Sequence, residues 1–333
     1  MKRILLSLFL LAFSAPAYAI EFDLPLHCSP GKDCFIQNFV DTAPGRRYND
    51  YHCGYLSYDK HDGTDFRLPN YVAMEKGVDV VAAADGVIRA TRDGVDDVNY
   101  STIDPAKVKD IECGNGVVID HVGGYQTQYC HLKKGSVKVL RNTKVKRGDV
   151  IGQVGLSGKT EFPHVHFAVR LNKKIIDPFT GFEPEITCDT NVTRTSLWSK
   201  NAAAALVYQP TALLSYGFTS VPPQAETARK GQNSEKEIPI NATNIIFWVD
   251  IMGTQKGDKL TMKLVSPNGK ELTVHDREFK TNSAVQFIYI GKTNKNIGLW
   301  PKGNYFGKVK LERPDESGKT TTIIDQTYPL SVY

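Results

Sequence analysis

Short β-branched runs punctuated by glycine set the texture of the first half of the chain. Residues 78–83, 86–90, 116–120, 127–129, 149–154 and 164–171 are such runs. Val and Ile suit a pleated surface and the glycines supply turns, so the pattern predicts strands with few helices. An Asp-rich polar insertion at 93–112 reads as a surface loop. Beyond Asp177-Pro178 the texture changes to an Ala-rich patch at 202–205, and then to 221–237, which holds Pro222-Pro223 and many charges and reads as linker or exposed loop. From Ile245 strands return. Leu260, Met262 and Leu264 alternate with Lys259, Thr261 and Lys263, Asn268-Gly269 supplies a hairpin turn before Leu272 and Val274, and residues 308–312 alternate again. The expectation is a mainly β chain: an antiparallel β-sheet domain over 55–185, a connecting region at 186–240, and a separate antiparallel β-sandwich-like domain over 241–333.

With 333 residues, 41% hydrophobic and 23% charged, the chain is neither disordered, collagen-like nor a multi-span membrane protein. Lys2 and Arg3, an apolar run over 4–13 and Ala17-Tyr18-Ala19 have the layout of a secretory signal peptide over 1–19. This ten-residue run falls short of the roughly 20 apolar residues that a spanning helix needs. The mature chain is therefore expected to start at Ile20, to be exported to the periplasm, cell envelope or medium, and not to span a membrane. The formal net charge of +5 falls to +3 once Lys2 and Arg3 are removed, too mild to argue for nucleic acid.

Six cysteines, Cys28, Cys34, Cys53, Cys113, Cys130 and Cys188, all follow the expected cleavage site, and an even number in an exported chain favours disulfides. Fifteen pairings are open. Cys113 and Cys130 flank an alternating pattern on both sides of Gly123-Gly124 and would face each other across a hairpin, and Cys28 and Cys34 would close a short loop. Residues 20–54 read as a disulfide-bearing N-terminal extension.

Candidate chemistry lies in the histidines. Five of eight, His61, His121, His131, His164 and His166, fall between positions 61 and 166. His164 and His166 are two apart on an expected strand, so both imidazoles project from one face. His61 and Asp65 are joined by a loop-forming Asp62-Gly63-Thr64, and a turn there brings them together. Zinc takes imidazole nitrogen and carboxylate oxygen, and catalytic sites keep three protein ligands. His61, Asp65 and one of His164 or His166 complete that set.

His61-x-x-x-Asp65, then Gln128-Tyr129-Cys130-His131-Leu132, then His164-x-His166, in this order with glycine-rich strands between them, resemble the lysostaphin-type (LytM-like) zinc metallopeptidases over roughly residues 55–180. The resemblance implies an antiparallel duplicated-hybrid-motif fold. It also implies one Zn²⁺ per chain held by His61, Asp65 and His166, catalytic roles for His131 and His164, and peptidoglycan cross-link peptides as substrate. Zinc lowers the pKa of water to about 7, which supplies hydroxide without a serine or cysteine nucleophile. A histidine with an ordinary pKa near 6.5 can move the proton, and the spacing leaves open which of His131 and His164 does so.

Two departures from the family pattern bear on the groove. Ala168 stands where many members carry glutamate, on the same strand face as His164 and His166. Glu161-Phe162 precedes Pro163 where a small residue is usual, which predicts a bulkier, more apolar wall. His121 reads as scaffold, while Trp248, Trp300 and Tyr305 read as core aromatics. Gly155-Leu156-Ser157-Gly158 lacks the spacing of a nucleophile elbow. Two other functions fit the chain: a catalytically silent envelope module, which would be expected to have lost ligands that are all present here, and a secreted peptidase acting on protein targets. The C-terminal domain could dock wall polymer or a partner.

Overall fold

The protein is described by a computed structural model over residues 20–184, 194–295, 298–315 and 317–333. The expected signal peptide and Cys188 lie outside the described residues. In the first unit, strands β1 (Phe35–Asn38) and β2 (Thr64–Arg67) precede helix α1 (Tyr71–Lys76). The strands β3 (Asp79–Val81), β4 (Gly86–Arg92), β5 (Asn115–Asp120), β6 (Tyr125–Leu132), β7 (Lys144–Val145), β8 (Val150–Gln153), β9 (His164–Leu171) and β10 (Lys174–Ile176) follow. The main sheet runs β1-β2-β9-β6-β5-β4-β7, with β10 also on β9, and β3 pairs with β8 in a small second sheet. All these pairings are antiparallel.

The period of two in β9 assigns its faces. Val165, Phe167 and Val169 are fully buried in a core that also contains Phe22, Phe66, Ile88, Ile119, Tyr129 and Trp198, while His164, His166 and Ala168 occupy the opposite face. In β2 the same logic puts Phe66 in the core and Asp65 with Arg67 on the face shared with the histidines, where Asp65 pairs with His166 and Arg67 with His164. The sequence pattern therefore predicts both the core and the floor of the groove. Burying each large apolar side chain of this set is worth about 1.5–3 kcal/mol.

The stretch 20–54, read as an extension, is built into this unit. Phe22 and Leu26 lie in its core, and β1 is a strand of its main sheet. Cys28–Cys34 and Cys113–Cys130 are disulfides, as the loop and hairpin readings expect, and Cys53 is also disulfide-bonded.

The second unit starts earlier than the composition suggests. Helix α2 (Lys200–Ala205) still packs on the first unit, with Ala202 in its core, and is followed in the second by β11 (Ala212–Thr219), helix α3 (Ala225–Arg229), β12 (Glu237–Ile238), β13 (Asn244–Thr254), β14 (Lys259–Val265), β15 (Glu271–Glu278), β16 (Ser283–Thr293), β17 (Gly303–Pro314) and β18 (Thr320–Val332). Sheets β11-β13-β16 and β12-β18-β17-β14-β15 enclose a core that includes Phe247, Met262, Trp300, Tyr305 and Leu311. The expected connecting region 186–240 thus contributes β11 to the sandwich.

The charged stretch 221–237 is not a free linker. Arg229 donates to both carboxylate oxygens of the buried Asp250, at 2.7 and 2.9 Å, and clasps α3 onto β13. The two units meet through an apolar cluster of Phe35, Ala212, Leu214 and Met252. Gln37 adds a hydrogen bond, donating from Nε2 to the Ala284 carbonyl at 3.3 Å.

Candidate metal centre

Asp65 and His166 face each other across β2 and β9, and the loop before β2 swings His61 onto them. His61 Nε2 lies 3.2 Å from Asp65 Oδ1 and 3.2 Å from His166 Nδ1, and His166 Nδ1 lies 2.9 Å from Asp65 Oδ1. One donor atom from each residue falls within 4.8 Å of the others. Among the described residues the other such triplet is Cys28, Asp33 and Cys34, whose sulfurs are joined to each other.

The surroundings of the three side chains fit a dication. His61 Nδ1 donates to the Phe39 carbonyl at 2.7 Å, which leaves Nε2 as the nitrogen with a lone pair. Asp65 Oδ2 accepts from Asn38 Nδ2 at 2.8 Å, which leaves Oδ1 toward the cluster. His166 Nε2 lies 3.1 Å from Asp62 Oδ1. Each candidate ligand thus has its outward atom engaged and its inward atom turned to a common point, the arrangement that orients metal-binding side chains. Two imidazole nitrogens and a carboxylate oxygen match the preference of zinc.

Titration reflects this crowding. Burial opposes ionisation of Asp65, but the surrounding imidazoles of His61, His164 and His166 outweigh it and hold the carboxyl well below its usual range. Burial also opposes a charge on His166, yet hydrogen bonds and charge from Asp62 and Asp65 raise it to about 9. Asp62, opposed by burial but hydrogen-bonded to His166, falls to about 2.

His131 and His164 complete the cluster with ring centroids 4.6 Å apart. His131 Nδ1 donates to the Ser157 carbonyl at 2.8 Å, and His164 Nδ1 donates to the Phe162 carbonyl at 2.9 Å. Both rings are thereby fixed with Nε2 as the acceptor nitrogen, and His164 Nε2 lies 3.4 Å from Asp65 Oδ1. Burial, with the neighbouring charges of His164 and His166, pushes His131 well below the ordinary imidazole range. His131 also has a φ of 64°, in a region that non-glycine residues seldom adopt. Its backbone N–H is tied to the Cys113 carbonyl at 2.8 Å, directly beside the Cys113–Cys130 bridge.

His121 is satisfied at both nitrogens, by the Asp85 carbonyl at 2.8 Å and Thr127 Oγ1 at 2.7 Å, and stands apart from the cluster. Ser157 is fully buried, donates to the Leu132 carbonyl and accepts from Asn115 N, so it braces the loop that holds His131. Phe162 stacks on His164 with centroids 4.5 Å apart, and the Arg67 guanidinium lies over the Phe162 ring, 4.7 Å from its centre. The groove beside the cluster has a volume of about 250 Å³ and is lined by Tyr58, Asp62, Glu112, Gln128, Lys159 and Arg170, among others.

The sequence reading did not assign Asn38, Asp62, Ser157 or Thr160 to this site. Asn38 reaches the Asp65 carboxylate, Asp62 and Thr160 Oγ1 lie beside ring nitrogens of His166 and His164, and Ser157 offers His131 only its backbone carbonyl, so only the period-two placement of Arg170 on the face of His166 could have signalled part of the set. Phe162 was anticipated as a bulky wall residue.

Residues 59–178 match the family model described as Peptidase family M23, and this stretch contains all five clustered side chains. This stretch is thus a domain similar to the M23 peptidases, within a mainly β, antiparallel fold. An uncharacterized metalloprotease of Buchnera aphidicola is 36% identical over 118 residues, covering 35% of this chain and 25% of that protein. The peptidoglycan DD-endopeptidase ShyA of Vibrio cholerae is 36% identical over 107 residues, covering 32% and 19%. The chain thus spans about a quarter or less of the length of these curated relatives. A zinc-containing peptidase of Vibrio cholerae, known by crystal structure, is 26% identical, covering 42% of this chain and 38% of that one, with a TM-score of 0.28.

Proposed function

We propose that the protein is an exported zinc metalloendopeptidase that hydrolyses peptide bonds in the stem or cross-link peptides of peptidoglycan. The observation that carries this reading is the convergence of His61 Nε2, Asp65 Oδ1 and His166 Nδ1, with two further imidazoles fixed to present Nε2 beside them. In it, His61, Asp65 and His166 hold one zinc ion. When bound, the ion polarises the scissile carbonyl and makes water acidic enough to supply hydroxide near neutral pH. His131 and His164 have the work of moving a proton at Nε2, because their Nδ1–H groups are committed to backbone carbonyls. Phe162 packs on the His164 ring, and the Cys113–Cys130 bridge lines the groove beside His131. The peptidoglycan substrate is inferred from relatives such as the DD-endopeptidase ShyA.

Purified full chain incubated with cross-linked peptidoglycan tests the reading, with muropeptides resolved by mass spectrometry. Zinc-loaded protein should release monomers from cross-linked dimers, and His131→Ala should lower the rate by about 10²–10⁴-fold. Intact cross-links after incubation with stoichiometrically zinc-loaded wild type would count against peptidoglycan hydrolysis and favour a silent envelope module.

A further inference from the structure

The loop between His61 and Asp65 brings a second carboxylate to the cluster, on a side where the strand pattern supplies none. Ala168, the next residue after His166 on the groove face of β9, has no polar atom to offer. Gln128 stands directly opposite Ala168 on β6, and Arg170 is the following groove-face residue of β9. Arg170 Nη1 donates to Gln128 Oε1 at 2.7 Å, and Nη2 donates to Asp62 Oδ2 at 3.1 Å. Asp62 Oδ1 is then 3.1 Å from His166 Nε2. Gln128, Arg170, Asp62 and His166 form one polar chain that ends on the imidazole.

Gly63 lets the loop lie against that ring. A Cβ at position 63 would come within 2.6 Å of His166 Cε1 and Nε2 and 2.9 Å of the Phe167 carbonyl, a separation no side chain tolerates. The backbone at 63 therefore packs directly on the imidazole and delivers the adjacent Asp62 to its outer nitrogen. A neutral imidazole carries its proton on either nitrogen, and the partner of one nitrogen decides which remains free for a metal.

We propose that Asp62, anchored by Arg170, is a positioning residue for His166. It accepts the Nε2–H and so keeps Nδ1 as the nitrogen turned to His61 and Asp65, the task that Ala168 leaves to be done from another strand. The inference rests on the reading that these three residues hold zinc.

The test uses the full chain, with zinc affinity measured by competition against a chromogenic chelator and the His166 tautomer read by ¹⁵N NMR of the zinc-loaded protein. Removing an outer-shell partner of a metal-binding histidine costs about 10–100-fold in affinity. Asp62→Ala should show a loss of that size, and Asp62→Asn, which keeps an acceptor oxygen but no charge, should fall between it and wild type. Arg170→Gln should weaken zinc in the same direction by less. The Asp62 side chain is 45% exposed, so the metal-free variants should melt as wild type does. Wild type should show the Nε2–H tautomer of His166, and Asp62→Ala a mixture. Unchanged zinc affinity in Asp62→Ala overturns the positioning role while leaving the metal reading intact, and an Nδ1–H tautomer of His166 in zinc-loaded wild type overturns both the role and Nδ1 as a ligand atom. A wild type that takes up no zinc overturns both.

Discussion

Asp65 on β2 and His166 on β9 occupy paired register positions, and the Oδ1 of one lies 2.9 Å from the Nδ1 of the other. A sheet register, the most rigid relation two side chains of distant sequence can have, thus sets the spacing of two of three candidate metal-binding groups. The third, His61, arrives on a loop, but its ring is pinned by the Phe39 carbonyl. Ligand positions fixed this firmly in the metal-free chain cost little ordering on uptake.

Zinc should therefore stabilise the protein as well as activate it. At 100-fold excess over its Kd, a ligand that binds the folded state alone adds about 2.7 kcal/mol. Calorimetry with and without a chelator should show the melting temperature rising with zinc, and His61→Ala should abolish the rise while remaining folded. An identical zinc-dependent shift in His61→Ala would exclude the assigned ligand set.

Ser157 is expected to matter for stability although it touches no reacting atom. Replacing it by Ala removes the partner of the buried Asn115 N–H, at about 1–3 kcal/mol for a group left unsatisfied, while the Leu132 carbonyl loses one of two donors and keeps Asn115 Nδ2 at 3.0 Å. Urea denaturation of the zinc-loaded protein measures this. The variant should also lose peptidase rate, because the 157 carbonyl holds His131.

The clasp of α3 on the second unit is testable in the same way. Arg229→Met strands the fully buried Asp250 without its cation, and breaking a buried pair from one side costs about 3–5 kcal/mol. Chemical denaturation should show the midpoint falling accordingly. A neutral result would mean that the Arg229–Asp250 pair does not hold α3 on β13.

Asp177 predicts a pH dependence. Burial, partly offset by the Phe179 N–H and Thr180, raises its carboxyl to about 7, and its Oδ2 has no hydrogen-bond partner among the described residues. A carboxyl with a raised folded-state pKa binds more protons folded than unfolded between its two values. Its contribution is therefore greatest below the ordinary carboxyl value of 3.8 and is lost as pH rises toward 7. Asp177→Asn should flatten the fall in stability over that window, as read from denaturation midpoints at a series of pH values. An unchanged slope would rule Asp177 out as its source.

Much of the architecture is legible from residue pattern. The alternation in 164–171 gives β9 with its bounds and its two faces, and Asn268-Gly269 falls between β14 and β15. The clustering of His61, Asp65, His131, His164 and His166 was legible too, because three motifs in order carry it. Two things were not. Segments whose polar residues are satisfied at long range, such as Arg229 on Asp250, look like linker until the partner is known. The hydrogen bonds that orient the histidines run to backbone carbonyls, and any residue type supplies a carbonyl, so composition is silent on them.

Strand β9 gives its odd-numbered residues to the core and its even-numbered ones to the groove, so a one-residue insertion or deletion within 164–171 would exchange the two sets. Phe167 would enter the cleft and an imidazole would enter the hydrocarbon interior, which couples solubility to chemistry along this segment. Point substitutions can tune either property separately, but length changes cannot. A screen of indel libraries should find 164–171 intolerant as a block, while the 93–112 insertion accepts altered length.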